Sequence, residues 1–203
     1  MKIICIGRNY ADHAKELGNE IPDEPVIFMK PKSALLQPHT PFYYPEFTNE
    51  LNYECELVLR ISKNGKYIQE RHAANYYNGI TVGIDFTARD IQDECKKKGL
   101  PWEKAKAFDN SAAIGKFIDI TPDINKKNIN FTFSKNGEIV QTGNSGQMLF
   151  SFDKLISNIS NYFSLNIGDL IFTGTPAGVG ECVVGDELEA FYEGTSMLKV
   201  EVK

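Results

Sequence analysis

The sequence has few of the residues that build disulfide frameworks or structural zinc sites. It contains four cysteines in 203 residues, and no two of them are arranged as Cys-x-x-Cys. Such widely separated cysteines argue against both kinds of cross-link and favour a reducing compartment. We therefore expect a cytoplasmic protein.

Positive charge is also in short supply. The chain has 22 Lys and Arg against 27 Asp and Glu, which gives a net charge of −5 at pH 7. This balance argues against nucleic acid or an anionic membrane surface as the partner. One basic run is present, Lys96-Lys97-Lys98, and it is typical of a solvated helix end.

Long hydrophobic runs are missing as well. No stretch approaches the roughly 20 apolar residues that a membrane-spanning helix needs, so we expect no membrane partner. Hydrophobic residues still make up 42% of the chain, and no break in composition marks a second domain. This content is enough for one buried core, and we predict a single domain over residues 1–203.

Short strands dominate the regular patterns that are present. Alternation of apolar and polar residues predicts strands at about 1–7, 54–63, 81–86, 131–133, 139–140, 169–173, 187–192 and 197–202. Helical periodicity predicts helices at about 10–17, 87–99 and 151–163. The string Ser-Lys-Asn-Gly occurs at 62–65 and at 134–137, and its Asn-Gly pair predicts a tight hairpin turn at each place. The count favours an α+β fold, mostly β, built as a roll or a sandwich.

Six prolines interrupt the segment that follows the first predicted helix, at positions 22, 25, 31, 38, 41 and 45. Proline lacks a backbone N–H and breaks regular elements, so this segment is not one continuous helix or strand. Long connections in compact domains are often functional loops. We predict that residues 10–45 form a lid segment.

Three acidic residues are the most informative feature of the sequence. Glu54 and Glu56 are separated by one residue in a predicted strand, and Asp85 interrupts a later apolar strand. Because side chains at i and i+2 of a strand point to the same side, the two glutamates can converge on one ion. An all-oxygen ligand set suits magnesium or manganese, with calcium as a further candidate. The alternative is that the glutamates form the solvated face of a half-exposed strand.

Two further pairs of polar residues have the spacing of neighbours on a helix. His13 and Glu16 are three apart, and the carboxylate can orient the imidazole as a general base. The alternative is a surface histidine beside a glutamate. Arg89 and Gln92 are also three apart, on the predicted helix that follows Asp85. Both side chains can point at the molecule that the cation binds.

Lys106 lies in a Lys-Ala-Lys-Ala-Phe stretch, where a solvated lysine is the default interpretation. Three carboxylates around a dication leave a net negative charge, so an anionic substrate needs Arg or Lys nearby. Two other motifs carry no familiar chemistry. Residues 174–180 lack the Gly-Lys-Ser/Thr of a phosphate loop, and residues 143–146 lack the spacing of a serine-hydrolase nucleophile elbow.

Several motifs follow one another in a recognisable order along the chain. They are Gly7-Arg8-Asn9-Tyr10 with His13 and Glu16, Tyr53-Glu54-Cys55-Glu56-Leu57, Asp85-Phe86-Thr87-Ala88-Arg89-Asp90, Lys106, and Gly168-Asp169 through Thr173-Gly174-Thr175-Pro176. Together they resemble the fumarylacetoacetate hydrolase family, from about Ile3 to the C-terminus. The resemblance is strongest to the short single-domain acylpyruvases and oxaloacetate decarboxylases.

This resemblance implies a single catalytic domain with a mixed β-roll, usually a homodimer, that acts on a small 2-oxo acid. It implies that magnesium or manganese is held by the positions matching Glu54, Glu56 and Asp85. The implied catalytic positions are those matching His13, Glu16 and Lys106, of which the first two activate a water. The implied substrate-binding positions are those matching Arg89, Gln92 and Thr175.

The resemblance leaves the reaction open. It implies first a hydrolase that cleaves a C–C bond in small acylpyruvates and releases pyruvate. The alternative is an oxaloacetate decarboxylase or a 2-oxo acid tautomerase at the same metal site, and a non-catalytic 2-oxo acid binding module is the third reading. Relatives often have a serine or threonine pair where this chain has Asn144-Ser145-Gly146-Gln147, a departure that bears on contacts to the far end of the substrate.

Overall fold

The computed structural model describes residues 1–16, 18 and 20–203, and short strands make up most of its regular structure. The helices are α1 Ala11–Glu16, α2 Arg89–Lys98, α3 Glu103–Lys106 and α4 Phe152–Tyr162. The strands are β1 Ile3–Gly7, β2 Val26–Lys30, β3 Leu51–Tyr53, β4 Cys55–Ile61, β5 Tyr77–Asp85, β6 Thr87–Ala88, β7 Ala112–Ile114, β8 Ile118–Asp119, β9 Asn130–Lys135, β10 Glu138–Asn144, β11 Leu170–Phe172, β12 Gly180–Glu181, β13 Glu187–Tyr192 and β14 Thr195–Glu201. Short 3₁₀ turns cover Lys32–Ala34, Glu70–Asn75 and Ser145–Gln147.

The strands form three sheets. The largest has the order β2-β1-β11-β4-β5-β7, with β8 also paired to β5. It is a mixed sheet because β1 and β11 run parallel, whereas the other neighbours run antiparallel. A four-stranded antiparallel sheet, β10-β9-β13-β14, and a three-stranded sheet, β12-β3-β6, pack with it. The predicted α+β fold, mostly β and arranged as a mixed roll, is confirmed.

The middle of the large sheet is buried on both faces. On one face of β4, Leu57 and Leu59 join the main core together with Phe131 and Phe133 of the four-stranded sheet. On the other face, Val58 joins a smaller apolar cluster with residues of β1 and β11. Both faces of this strand therefore pack against other side chains, and the alternative of a solvated polar face is wrong.

The two Ser-Lys-Asn-Gly strings adopt different structures. Asn136 and Gly137 have φ angles of 54° and 83°, the left-handed pair that a type I′ turn requires, and they join β9 to β10 as predicted. The tight hairpin predicted at 62–65 is wrong. There the chain runs on through a 3₁₀ turn before β5 pairs with β4, and Gly65 forms a bridge with Leu165. Pairing with a distant segment decides this backbone, which the local sequence cannot show.

The helices lie close to their predicted positions. Thr87 belongs to β6, so α2 begins two residues later than predicted, and Gly99 ends it in the left-handed conformation with φ of 64°. Of the helix predicted at 10–17, residues 11–16 form α1, and Leu17 lies outside the described residues. Within the described ranges, no helix is long and apolar enough to cross a membrane.

The proline-rich segment is tied to the sheets at several places. β2 forms one edge of the large sheet beside β1. Further along, Leu35 forms a bridge with Ala112, and Phe42 forms a bridge with Val202. Among the described residues of the predicted lid, α1, the loop that leads to β2 and the 3₁₀ turn Lys32–Ala34 lie outside the sheets.

Candidate active site

The fold brings three acidic residues together where β4 and β5 pair. Glu54 immediately precedes β4, Glu56 lies within it, and Asp85 ends β5. The amide of Asp85 donates to the carbonyl oxygen of Glu54 at 2.8 Å, which fixes the register at this point. One carboxylate oxygen from each of the three residues lies within 4.8 Å of the other two. We call these three residues the acidic triad.

The acidic triad fits a divalent cation. Its residues are at most 6% exposed, and buried carboxylates whose oxygens lie this close together repel one another, which favours the binding of a cation. Burial, together with the charges of Asp85 and Glu54, raises the pKa of Glu56 well above its ordinary value. Asp85 Oδ1 accepts no hydrogen bond from the described residues. Oxygen ligands of this kind suit Mg²⁺, Mn²⁺ or Ca²⁺.

Lys106 lies among these carboxylates and is only 2% exposed, so the interpretation as a solvated lysine is wrong. Its ammonium group donates to Glu54 Oε2 at 2.8 Å, to Asp85 Oδ2 at 2.9 Å and to Thr87 Oγ1 at 2.5 Å. These three bonds use all three ammonium donors. Burial lowers the pKa of Lys106, but the charges of Asp85 and Glu54 outweigh it and raise that pKa above the ordinary lysine value.

Lys30, which the sequence reasoning did not single out, is a second buried cation at the triad. Its side chain is fully buried, and Nζ donates to the carbonyl oxygen and the hydroxyl of Ser111 at 3.0 and 2.9 Å. Nζ also lies 2.7 Å from Asp85 Oδ1, as an ion pair without the angle of a hydrogen bond. The signal that could have found it is a charged residue at the end of the apolar strand Val-Ile-Phe-Met-Lys.

Arg89 contacts the triad at Glu54. Its guanidinium donates through Nη2 to Glu54 Oε1 at 2.6 Å, through Nε to Asn52 at 2.9 Å, and through Nη1 to Gln92 at 2.5 Å. Arg89 and Gln92 bond to each other and both line the cleft beside the triad, and their predicted contact with one ligand stays a prediction. All three guanidinium nitrogens of Arg89 therefore bind protein oxygens.

His13 and Glu16 meet on α1 as their spacing predicts. His13 Nδ1 lies 3.3 Å from Glu16 Oε2, and the imidazole is 5% exposed, so the interpretation as a surface histidine is wrong. Burial lowers the pKa of His13 below its ordinary value, although Glu54 and Glu16 act in the opposite direction. The other oxygen of Glu16, Oε1, accepts a hydrogen bond from the amide of Gly178 at 3.0 Å. This bond joins α1 to the loop that follows β11.

That loop holds one carboxylate of the triad through its backbone. Gly174 has φ of 101°, and its amide donates to Glu56 Oε2 at 2.7 Å. A Cβ at this position would meet Asn9 Cβ at 2.7 Å, so glycine is required both by conformation and by space. Asn9 anchors the loop, because its Nδ2 donates to the carbonyl oxygen of Thr173 at 2.7 Å. Asn9 lies in one of the motifs, but sequence reasoning assigned it no role.

Thr175 is buried and its hydroxyl is already engaged. Oγ1 donates to the carbonyl oxygen of Cys55 at 2.8 Å and accepts from Gln141 Nε2 at 2.9 Å. Gln141, another residue that sequence reasoning missed, also accepts from the amide of Cys55 at 2.9 Å. Thr175 therefore lines the site while its side chain bonds to the protein.

A narrow cleft of about 30 Å³ opens beside the triad. Seven of the nine predicted site residues line it: His13, Glu54, Glu56, Arg89, Gln92, Lys106 and Thr175. The wall also includes residues that the sequence reasoning did not assign to a site, among them Arg8, Phe28, Lys96 and Trp102. The side chain of Asn144 forms a local hydrogen bond, in which Oδ1 accepts from the amide of Gly146 at 2.8 Å.

The model of the family described as "Fumarylacetoacetate (FAA) hydrolase C-terminal" matches residues 2–203. The chain belongs to the fumarylacetoacetate hydrolase family. It is 40% identical to the bovine protein named "Oxaloacetate tautomerase FAHD1, mitochondrial" over 201 residues, covering 99% of this chain and 91% of the relative. It is also 40% identical to "Oxaloacetate tautomerase YcgM" of Escherichia coli over 199 residues, covering 97% of this chain and 90% of the relative.

Solved structures of family members superpose on the whole chain. One is fumarylpyruvate hydrolase from Pseudomonas aeruginosa in complex with Mn²⁺ and pyruvate, at a TM-score of 0.94 and 36% identity, covering 100% of this chain and 89% of that one. Another is 5-carboxymethyl-2-hydroxymuconate delta-isomerase from Mycobacterium smegmatis, at a TM-score of 0.85 and 33% identity, covering 99% and 78%. The family and the family fold expected from the sequence are confirmed. The roles of individual residues stay predictions.

Proposed function

We propose that the protein is a divalent-metal-dependent enzyme that interconverts the keto and enol forms of oxaloacetate. The observation that carries the proposal is the acidic triad, buried and joined by Lys106, in a chain about 40% identical to proteins named oxaloacetate tautomerases. A bound Mg²⁺ or Mn²⁺ would act as a Lewis acid for the oxygens of a 2-oxo acid. Glu54, Glu56 and Asp85 would hold it.

The residues around the triad supply the proton transfer that tautomerisation requires. The Glu16 carboxylate accepts a hydrogen bond from His13 Nδ1. The imidazole proton is therefore on Nδ1, and Nε2 is left as the base. His13 is buried and has a lowered pKa, so it is neutral near pH 7 and can take a proton from the carbon next to the keto group. Lys106 keeps a positive charge beside the oxygens where negative charge develops.

The test follows the ultraviolet absorbance of enol-oxaloacetate with purified protein and Mg²⁺. We expect the protein to speed the decay of the enol, and a chelator to abolish this effect. His13→Gln should lower the rate by about 10²- to 10⁴-fold, because a general base is lost. Lys97→Gln, a change at an exposed residue, serves as the control and should have no effect. A wild-type rate equal to that of buffer with Mg²⁺ would rule the proposal out.

A second candidate is the hydrolysis of acylpyruvates to release pyruvate. It is favoured by the contact of 3.3 Å between His13 and Glu16, because the same base can take a proton from an attacking water. It is also supported by the similarity to the fumarylpyruvate hydrolase structure. Pyruvate released from acetylpyruvate measures this activity, and pyruvate released from oxaloacetate measures decarboxylation. Binding of these compounds without any turnover would instead support the binding module.

The pH profile of either reaction tests the role of His13. A base acts in its neutral form, and burial lowers the pKa of His13 below the ordinary value of about 6.5. The rate should therefore stay high as the pH falls to that value, and decline only at more acidic pH. The acidic limb should disappear from the residual activity of His13→Gln. An unchanged limb in that variant would assign it to another group.

We also propose that residues 1–203 act as one catalytic domain, that α1 is the movable part of the lid, and that the protein is a cytoplasmic homodimer. The four cysteines are free and buried, which suits a reducing compartment. The homodimer is supported by the family resemblance. Sedimentation velocity should give a particle of about twice the chain mass of 22.8 kDa, and a monomer at all concentrations would contradict the dimer.

A further inference from the structure

The buried cations nearest the triad are already committed to protein oxygens. Lys106 uses its three ammonium donors on Glu54, Asp85 and Thr87. Every guanidinium nitrogen of Arg89 donates to a side chain. These groups stabilise the triad itself. Lys106 cannot take the carboxylate of a substrate without giving up a bond of 2.9 Å or less. Arg89 is held at Glu54, Asn52 and Gln92, with three of its five N–H donors in use.

Two other cations line the same cleft, Arg8 and Lys96. Arg8 is half-buried directly after β1, and its guanidinium forms no hydrogen bond or ion pair within the described part of the chain. The side chain of Lys96 is 25% exposed, and its ion pair is a loose contact of 3.6 Å with Asp93. The interpretation of the whole basic run as a solvated helix end is therefore wrong for Lys96, although Lys97 and Lys98 are exposed.

The backbone at Arg8 is held in a rare conformation. Its φ is 60°, in the left-handed region that residues with a side chain rarely adopt. Such residues persist where the surrounding structure needs the side chain in one direction, and they cluster at ligand sites. Here the next residue, Asn9, is fully buried and bonded to the loop that holds Glu56, which fixes the chain on one side of Arg8.

Charges on this wall repel one another unless an anion comes between them. Burial and the charges of Arg89 and Arg8 lower the pKa of Lys96, while Asp93 and Glu54 act in the opposite direction. The cleft wall next to them is apolar, with Phe28 and Trp102 packed edge to face at 5.9 Å. A second anionic group on a bound molecule would therefore find its partners at these two cations.

We propose that Arg8 and Lys96 bind the far carboxylate of a dicarboxylic 2-oxo acid whose keto end lies at the acidic triad. This inference rests on the proposed function and specifies its substrate class. The two cations would make the enzyme prefer oxaloacetate, which has two carboxylates, over pyruvate-like acids with an uncharged tail. They are specificity residues, because the bond-making steps are assigned to other groups.

The test compares Arg8→Gln and Lys96→Gln with the wild type in Mg²⁺. Loss of one charge-assisted hydrogen bond should lower kcat/KM for oxaloacetate by about 10- to 100-fold, mainly through KM. The inhibition constant of pyruvate, which lacks the far carboxylate, should stay within about twofold in both variants. Lys96→Arg should restore most of the loss, and Lys97→Gln, which changes an exposed neighbour, should behave as the wild type.

The outcomes separate this inference from the proposed function. If both variants weaken oxaloacetate and pyruvate equally, or weaken neither, the inference is overturned while the wild-type activity still supports the proposed function. If the wild type shows no turnover, calorimetric titration compares the affinities of the wild type and the variants for oxaloacetate and pyruvate. A loss of affinity for oxaloacetate but not for pyruvate then supports the inference, although the proposed function has failed. Circular dichroism checks folding, and Lys96→Gln carries the test if the change at Arg8 prevents folding.

Discussion

Lys30 shows at the scale of one residue how a buried charge is kept in place. Its ammonium group lies against Asp85 and is bonded to Ser111, with no exposed surface on its side chain. Removing one partner of such a group leaves the other charge uncompensated in the interior. The same lysine bonds the carbonyl oxygen of Lys106, so it also supports the segment that carries the next cation.

We expect Lys30→Met to lower the free energy of unfolding by about 3–5 kcal/mol, because the charge of Asp85 loses a buried partner. Urea denaturation followed by circular dichroism measures the change. Lys32→Met is the matched control, since Lys32 is exposed, and it should change stability by less than about 0.5 kcal/mol. Equal effects of the two substitutions would show that burial of Lys30 is not the cause.

Substitutions at Gly174 and Gly185 can distinguish the cost of backbone strain from the cost of steric conflict. Their φ angles are 101° and 99°, but a Cβ at Gly174 would meet Asn9 at 2.7 Å, whereas a Cβ at Gly185 would have nothing within 4 Å. We expect Gly185→Ala to cost about 1–2 kcal/mol from strain alone. Gly174→Ala should cost about 1–3 kcal/mol more, as in overpacked cores. Equal losses of stability in thermal unfolding would contradict this account.

At the scale of elements, α1 is a six-residue helix that depends on contacts made outside itself. Isolated helices of this length are unstable in water, so its position must come from tertiary bonds. The bond from Gly178 to Glu16 is such a contact, and it ties the helix to the loop beside the triad. Opening of α1 would break this bond and expose His13 together with the cleft.

Glu16→Ala should therefore loosen the closed position of α1. We expect the amide of Gly178 to exchange its hydrogen roughly tenfold faster, because a charge-assisted bond of 3.0 Å is lost. Hydrogen exchange measured by mass spectrometry or NMR gives the rate. Asp12→Ala, which removes an exposed carboxylate on the same helix, should leave the exchange of Gly178 unchanged. A similar acceleration in both variants would mean that the helix, and not this bond, is responsible.

The twin turn strings show what a local pattern can and cannot predict about elements. At 134–137 the strands on both sides are neighbours in sequence and in the sheet, so the Asn-Gly preference and the pairing agree. At 62–65 the side chain of Asn64 accepts a hydrogen bond from Ile167, a residue 103 positions away. The same four residues therefore fold differently because their long-range partners differ.

At the scale of the whole molecule, the triad links folding to metal binding. The unfolded chain separates the triad residues, so an ion that binds them adds to the stability of the folded state alone. We expect Mg²⁺ at a hundredfold excess over Kd to add about 2.7 kcal/mol. Each kcal/mol should raise the thermal midpoint by about 2–4 °C for a chain of this size.

Calorimetry of the protein with and without Mg²⁺ measures this shift. Glu56→Gln should reduce it strongly, because one oxygen ligand of the triad loses its charge. Glu46→Gln changes an exposed glutamate outside the cleft and should keep the full shift. An unchanged shift in Glu56→Gln would place the stabilising ion elsewhere.

Much of the site could be predicted from the residues and their order. Glu54 and Glu56 share one side of a strand by its two-residue period, and His13 and Glu16 share one face of a helix by its turn. Both are short-range relations, and the structure brings each pair together. Lys30, Asn9 and Gln141 could not be found in this way, because their partners lie 34 or more positions away in sequence.

The sequence by itself determined the family, the mostly β fold and the acidic residues that can hold an ion, since these depend on local periodicity and on motifs that stand in order. Only the tertiary structure decided which cationic side chains bond to protein oxygens and which are available to bind an anionic substrate. Lys106 uses all three of its donors on protein oxygens and Arg89 uses three of its five, whereas Arg8 and Lys96 face the same cleft without close partners in the described chain. The reason is that hydrogen-bond partners are set by which strands pair and which loops meet, and those contacts join residues that are distant in sequence.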